Sequence, residues 1–241
     1  MPDAIFEDPR LAAVYDALDP DRSDLDVYVA IAEELGARRV LDVGCGTGTF
    51  ALMLAEQGLE VVGVEPARAS LDVARAKPGA ERVLWVHGDA TSLPPLEVDL
   101  ATMTANVAQA IADPAAWHGA LAGIGKALRP GGWLVFETRD PAARAWEHWT
   151  RAESYAVTQI DGVDEVESWH DLLDVSGRLV TFRSTVVFAS DGAAIESVST
   201  LRFRERAEVE ADLAAHGYAV DEVRDAPDRP GRELVFFATR C

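Results

Sequence analysis

Three glycines alternate with small residues in Gly44-Cys45-Gly46-Thr47-Gly48, directly after the apolar run Val40-Leu41-Asp42-Val43 and just before Thr49-Phe50. Lacking a Cβ, glycine takes positive φ and lets another molecule approach the main chain, so three in five residues mark a turn built around a ligand. The next apolar run, Val61-Val62-Gly63-Val64, ends in Glu65. A carboxylate at that place accepts hydrogen bonds from both hydroxyls of a ribose. A tight strand-to-helix turn without a ligand would explain the glycines but leaves the acid unexplained. Loop and acid together point to a nucleoside-containing cofactor.

Spacing separates the cofactor classes. A dinucleotide loop of the form Gly-x-Gly-x-x-Gly needs glycine at the position held by Thr49. The third glycine is Gly48, and Asp42 stands two residues before the first. The resulting pattern, acid-x-Gly-x-Gly-x-Gly, resembles motif I of the class I S-adenosylmethionine-dependent methyltransferases, and four further segments agree with it in order along the chain. The resemblance covers about residues 36–140 and 205–239. It implies S-adenosylmethionine as cofactor, with Gly44, Cys45, Gly46 and Gly48 in the loop that wraps its methionine part and Asp42 orienting that loop or holding the amino group through water. Glu65 would bind the ribose, with Pro66 and Ala67 flanking the adenine. Gly88-Asp89-Ala90 resembles the adenine-edge motif, Asp89 accepting from the exocyclic amine. In Thr104-Ala105-Asn106-Val107-Ala108-Gln109 the family brings backbone and a polar side chain near the methyl donor, which makes Asn106 and Val107 candidate contacts and Asn106 and Gln109 candidates for the donor and acceptor pocket. Tyr15 is placed to close over the cofactor, or else to pack an amphipathic helix.

The acceptor is less legible. The Asn/Asp-Pro-Pro-aromatic tetrad of many enzymes that methylate amines in nucleic acids or glutamine is absent. Methyl transfer from a sulfonium is an in-line displacement with an activated donor, so alignment supplies most of the catalysis. A base is needed only for a protonated nucleophile, and spacing singles out none of His118, His148 and His170. Trp146, Trp149 and Trp169 flank or lie in a later segment, where tryptophans serve as core more often than as ligand contacts.

These residues need elements to hold them. Apolar strands at 39–43, 60–64, 82–87, 98–103 and 133–138 alternate with helices at about 47–57, 67–77 and 113–128, the pattern of a parallel sheet with helices on both faces. Ser23-Asp24-Leu25-Asp26 reads as an N-cap and acidic first turn opening a helix to Leu35. Asp161-Gly162, Ser176-Gly177 and Asp191-Gly192 then fall fifteen residues apart as turns of an antiparallel meander, with Val180, Phe182, Val186 and Phe188 on one face and Thr181, Arg183 and Thr185 on the other. A helix from Arg206 to His216 and strands at 218–223 and 233–239 complete the order. The resemblance implies a doubly wound, seven-stranded, mostly parallel Rossmann-like sheet whose last strand is antiparallel. Residues 1–149 and 205–241 would form the core domain, and 150–204 an antiparallel β insertion serving as a substrate lid or dimer contact.

Composition narrows the partners. Twenty-two basic against forty-one acidic residues give a net charge of −19, which repels phosphate backbones, and no basic run offsets it. The expected partner is a small-molecule acceptor, with no nucleic acid, no membrane and no metal, in a monomer or homodimer. The two cysteines form no disulfide framework, the first residues lack a signal peptide's basic and apolar regions, and no apolar stretch reaches the roughly 18 residues of a membrane span. The expected compartment is the cytoplasm. A nicotinamide-dependent oxidoreductase shares the glycine-and-acid logic, and a non-catalytic S-adenosylmethionine-binding module would keep the same loop.

Overall fold

The computed structural model describes residues 2–241. Strands β1 (Arg39–Val43), β2 (Glu60–Glu65), β3 (Val83–His87), β4 (Val98–Met103), β5 (Leu128–Arg139), β10 (Tyr218–Asp225) and β11 (Glu233–Arg240) form one sheet in the order β10-β11-β5-β4-β1-β2-β3. The first five run parallel, while β11 pairs antiparallel with both β5 and β10. The strands read as near-continuous apolar runs because both faces are covered. One face packs on α3 (Asp26–Glu34) and α4 (Thr49–Glu56) through Tyr28, Ile31, Phe50 and Leu54. The other packs on α7 (Pro114–Ala127) and α9 (Arg206–Ala215) through Trp117, Leu121, Ile124, Val209 and Leu213. Between β1 and β4 the strand order reverses, and in open α/β sheets the ligand crevice lies at such a switch point, outside the carboxyl ends of the strands.

Local chemistry sets the helix starts. Asp113 accepts from the Ala116 N–H at 2.8 Å with Pro114 in the first turn of α7. The Ser23 cap is not formed. Asp21 accepts from the Ser23 N–H at 3.0 Å, an Asx turn that tightens Ser23–Leu25 into a 3-10 turn before α3.

Helices α1 (Ala4–Glu7) and α2 (Pro9–Leu18) lie across the crevice. Asp16 of α2 accepts from the Thr47 hydroxyl at 2.6 Å and pairs with Lys77 at 2.5 Å, next to α5 (Arg68–Ala76). On α5 itself, the Arg68 N–H donates to Glu7 and the Ser70 hydroxyl to the Phe6 carbonyl. Short helices α6 (Val107–Ala110) and α8 (Arg151–Ser154) follow β4 and β5. Between α8 and α9 stands a second, antiparallel sheet in the order β6 (Ala156–Ile160), β7 (Asp164–Ser176), β8 (Leu179–Phe188) and β9 (Ala194–Arg202). Val166, Val186 and Phe188 of this sheet pack with Leu11 and Val14 of α2, so it braces the helices over the crevice. Thr185 is buried rather than outward, as is the neighbouring Ser184, because the middle of β8 is covered on both sides.

Candidate functional site

A cavity of about 640 Å³ opens at the carboxyl ends of β1, β2 and β4, in the size range of small-molecule sites. Ten of the twelve residues expected at the cofactor line it: Tyr15, Asp42, Gly44, Cys45, Gly46, Glu65, Pro66, Asp89, Ala90 and Val107. Gly48 and Asn106 do not. A Cβ on Gly48, at φ +81°, would stand 2.6 Å from the Trp85 ring, so this glycine makes room for a tryptophan under the loop. Gly46, at φ +54°, has open space where its Cβ would be, and there the bare backbone faces the cavity. Asn106 turns the other way, donating from Nδ2 to Glu233 at 3.2 Å, because two buried carboxylates lie behind the loop.

Glu65 ties the walls together. Its Oε2 accepts from the Gly46 N–H at 2.9 Å and its Oε1 from the Ala67 N–H at 2.7 Å, each oxygen keeping a lone pair for a ligand hydroxyl. Burial pushes its carboxyl up, against the pull of those two bonds. Asp42 is pushed up to about 7, by burial first and then by the charges of Glu65 and Glu137, with Thr102 the one hydrogen-bond donor opposing. Its Oδ2 is buried without a partner. Asp3, Asp42, Glu65 and Asp89 face Arg22 alone among the described charged residues of the cavity wall. Such a wall fits a ligand that carries net positive charge, and an orphaned Oδ2 on it fits a donor from that ligand. Burial and the neighbouring acids also push the Cys45 thiol well above its ordinary value, so it is packed as a neutral group.

Beyond β4 the chain turns through Ala105 (φ +55°) and Asn106 (φ +61°). Glu137 of β5 accepts from the Asn106 N–H at 2.6 Å, and Arg204 donates to the carbonyls of Ala108 and Ile111 at 2.8 and 2.7 Å while lying over Trp117. Gln109 is fully buried behind this turn, accepting from Arg139 Nη1 at 3.1 Å, and lines neither this cavity nor the smaller one beside it. Phe6, Asp16, Arg22, Glu137 and Glu233 escaped the sequence reading. Of these only Glu137 carries a local signal, a lone acid inside the apolar strand Trp133-Leu134-Val135-Phe136.

The other candidates lie elsewhere. His118 stacks on His216, His148 pairs with Glu153, and His170 is bonded to Ser184 at 2.9 Å. Trp146 and Trp149 pack edge-on or tilted against Phe203 and Phe182, and Trp169 lies under Arg151. None of these residues lines either cavity. Among the described residues no helix is long and apolar enough to cross a membrane, and no group of three or more metal-ligating side chains occurs.

Residues 40–132 match the model of a family described as a methyltransferase domain. The cypemycin N-terminal methyltransferase of a Streptomyces species is 36% identical over 119 residues, 49% of each chain. The chain spans about half the length, or less, of the first such curated relatives. Over nearly its whole length it has the fold of a S-adenosylmethionine-dependent methyltransferase from Clostridium acetobutylicum, with a TM-score of 0.75 at 17% identity, covering 96% of this chain and 98% of that one. An amino pentose methyltransferase from Micromonospora echinaspora, solved with S-adenosylmethionine bound, superposes with a TM-score of 0.66 at 24% identity over 95% of each chain.

Proposed function

We propose that this chain is a class I S-adenosylmethionine-dependent methyltransferase that transfers a methyl group from that cofactor to an oxygen, nitrogen or carbon atom of a small-molecule acceptor. The observation that carries this reading is Glu65, which accepts the Gly46 N–H on the wall of an acidic cavity whose only facing cation among the described residues is Arg22. When bound, S-adenosylmethionine supplies a methyl group activated on a sulfonium. Glu65 holds the ribose hydroxyls, Gly46 lies bare against the methionine part, and Asp42 Oδ2 takes a donor from the amino group. Arg22 is the cation available for the carboxylate. Asp89 and Ala90 edge the adenine, with Pro66 beside it. Phe6 and Tyr15 close the cavity from α1 and α2 and keep water from it.

Residues 1–149 and 205–241 act as the core in this reading. The insertion 150–204 acts as the brace of the lid, supported by its packing on α2. A net charge of −19 supports a small acceptor over a nucleic acid. The free cysteines Cys45 and Cys241 suit a reducing, cytoplasmic setting.

Calorimetric titration with S-adenosylmethionine and S-adenosylhomocysteine, with NAD and NADP in parallel, tests the reading. Binding of the first pair alone at micromolar strength, roughly −8 kcal/mol, is expected. Binding of a nicotinamide nucleotide instead would overturn it.

A further inference from the structure

Next to the cofactor cavity, and sharing Tyr15, Arg22 and Ala105 with it, lies a second cavity of about 150 Å³. That is the volume of about five water molecules, enough for the polar end of a small ligand. Its inner wall is made by Tyr28, Asn106, Glu137, Arg139, Arg229 and Glu233. We propose that this corner is the subsite for an ammonium group on the acceptor, with Glu137 and Asn106 as its hydrogen-bond acceptors, so that the acceptor is an amine-bearing small molecule.

Hydrogen bonding supports the assignment. Glu233 Oε1 accepts from Arg229 Nη1 at 2.8 Å and Asn106 Nδ2 at 3.2 Å and pairs with Arg139 Nε at 3.7 Å. Glu137 has no such cation on it. Its Oε1 takes the Asn106 N–H, while its Oε2 is buried without a hydrogen-bond partner, and Asn106 Oδ1 is in the same condition. The residue is 2% exposed, so leaving a carboxylate oxygen unpaired there is costly. With Glu137 ionised, both orphaned atoms only accept. An ammonium offers three donors and no acceptor, whereas a hydroxyl offers one donor and brings lone pairs of its own.

Charge points the same way. Glu233 of β11 and Asp42 of β1 add negative charge, Tyr28 of α3 approaches Glu137 as a hydrogen-bond donor, Arg139 at the end of β5 is engaged by Glu233 and Gln109, Arg229 is engaged by Glu233, and Asp19, Asp24 and Asp228 outnumber Arg22 in the rest of the lining. The Glu137 carboxyl is pushed up to about 7, by burial first and by Glu233 in addition, against the hydrogen bonds from Tyr28 and the Asn106 N–H. An ammonium entering the corner favours the ionised carboxylate and releases a proton.

The identification of the ligand as the methyl acceptor rests on the methyltransferase reading; the ammonium site stands on the corner itself. The test follows the Glu137 carboxyl carbon by NMR in the full chain labelled with ¹³C at the glutamate carboxyl, the signal being assigned by its loss in Glu137→Gln. Methylammonium chloride is the probe, against methanol and sodium chloride at equal concentration. Methylammonium is expected to lower the Glu137 midpoint by about one pH unit, as an opposite charge at contact does, and the controls to leave it in place. A midpoint that methylammonium leaves unmoved, or that sodium chloride or methanol moves equally, overturns the subsite. If Glu137→Gln does not fold, Asn106→Ala serves. It keeps the backbone bond, the signal is then assigned by its midpoint near 7, and methylammonium should bind about tenfold more weakly; unchanged affinity overturns the subsite too. Failure of S-adenosylhomocysteine to bind with the methylammonium response intact would remove the methyltransferase and leave the site. The converse would remove the amine and leave the enzyme.

Discussion

The ends of β1 and β4 solve one problem in two ways. At both, the chain turns through positive φ, and at both a buried glutamate from the neighbouring strand accepts a backbone N–H of the turn: Glu65 takes Gly46 at 2.9 Å and Glu137 takes Asn106 at 2.6 Å. The first turn uses Gly44 and Gly46, at φ +70° and +54°, which adopt that region without steric cost. The second uses Ala105 and Asn106, at +55° and +61°, where a side chain costs roughly 1–2 kcal/mol per residue, less for asparagine. The β1 turn is therefore written into its own residues. The β4 turn is imposed by Glu137, Glu233 and Arg204, which reach it from β5, β11 and the segment before α9. A turn imposed from outside stores strain beside the reacting groups, and its geometry depends on the charge state of what holds it.

That dependence gives the largest expected effect. Asp42 beneath the first turn and Glu137 beneath the second are each pushed up to about 7. Both bind a proton more tightly folded than unfolded, so their stabilising contribution is complete below the unfolded values near 4 and is lost as pH rises to about 7, at about 3–4 kcal/mol per group. Urea unfolding of the ligand-free protein should show stability falling from pH 5 to pH 8. Glu137→Gln should remove the share belonging to the second turn and Asp42→Asn the share belonging to the first. A pH slope untouched by both substitutions would mean that neither carboxyl is perturbed.

Cofactor affinity should divide the turns more sharply than stability does. Glu65→Ala deletes the proposed ribose acceptor and should weaken S-adenosylhomocysteine binding by about 1.5–3 kcal/mol, the worth of hydrogen bonds to a charged group. Calorimetry on the folded variant decides it, and unchanged affinity would sink the role given to Glu65.

Within the first turn, two glycines that look alike in sequence should behave differently. Gly46→Ala and Gly48→Ala both force an L side chain into positive φ, but only at Gly48 does the new Cβ meet Trp85 at 2.6 Å and Ala74 at 2.8 Å. The overpacking adds about 1–3 kcal/mol of destabilisation to Gly48→Ala over Gly46→Ala. Gly46→Ala should instead be the one that lowers cofactor affinity. Equal melting points for the two variants would refute this division of labour.

Legibility followed the same divide. The strands, their helices and the three hairpin turns of the insertion were readable because each is signalled by a local period or by Gly and Pro punctuation, whereas the antiparallel direction of the last strand came only with the methyltransferase resemblance. The β1 turn was readable for the same reason: its glycines fall at alternate positions of one short segment and Glu65 closes the next strand. The tie between Asn106 and Glu137 spans 31 residues and that between Asn106 and Glu233 spans 127, so no local pattern contains either. The sequence pattern therefore places Asn106 at the cofactor, whereas its side chain faces away toward Glu233. Spacing groups Gly48 with Gly46 because it cannot reveal a tryptophan thirty-seven residues further on, in β3. The α2 latch through Asp16, Thr47 and Lys77 was invisible for a similar reason, since an acid on a short helix carries no sign of its partner.

The smallest effect tests the contrast most directly. If Ala105 is held in positive φ by its surroundings, Ala105→Gly relieves roughly 1–2 kcal/mol of steric cost and gives back roughly 0.5–1 kcal/mol to the freer unfolded chain, a net gain of about 0.5–1 kcal/mol in urea unfolding. The gain should shrink in an Arg204→Ala background. Without the guanidinium on the Ala108 and Ile111 carbonyls the turn can relax, and less strain remains for glycine to relieve. That non-additivity is the sign of a turn held from outside, because residues that share one constraint do not contribute independently. A gain of equal size in both backgrounds would place the strain in Ala105 alone, and no gain in either would make the β4 turn as self-sufficient as its glycine counterpart.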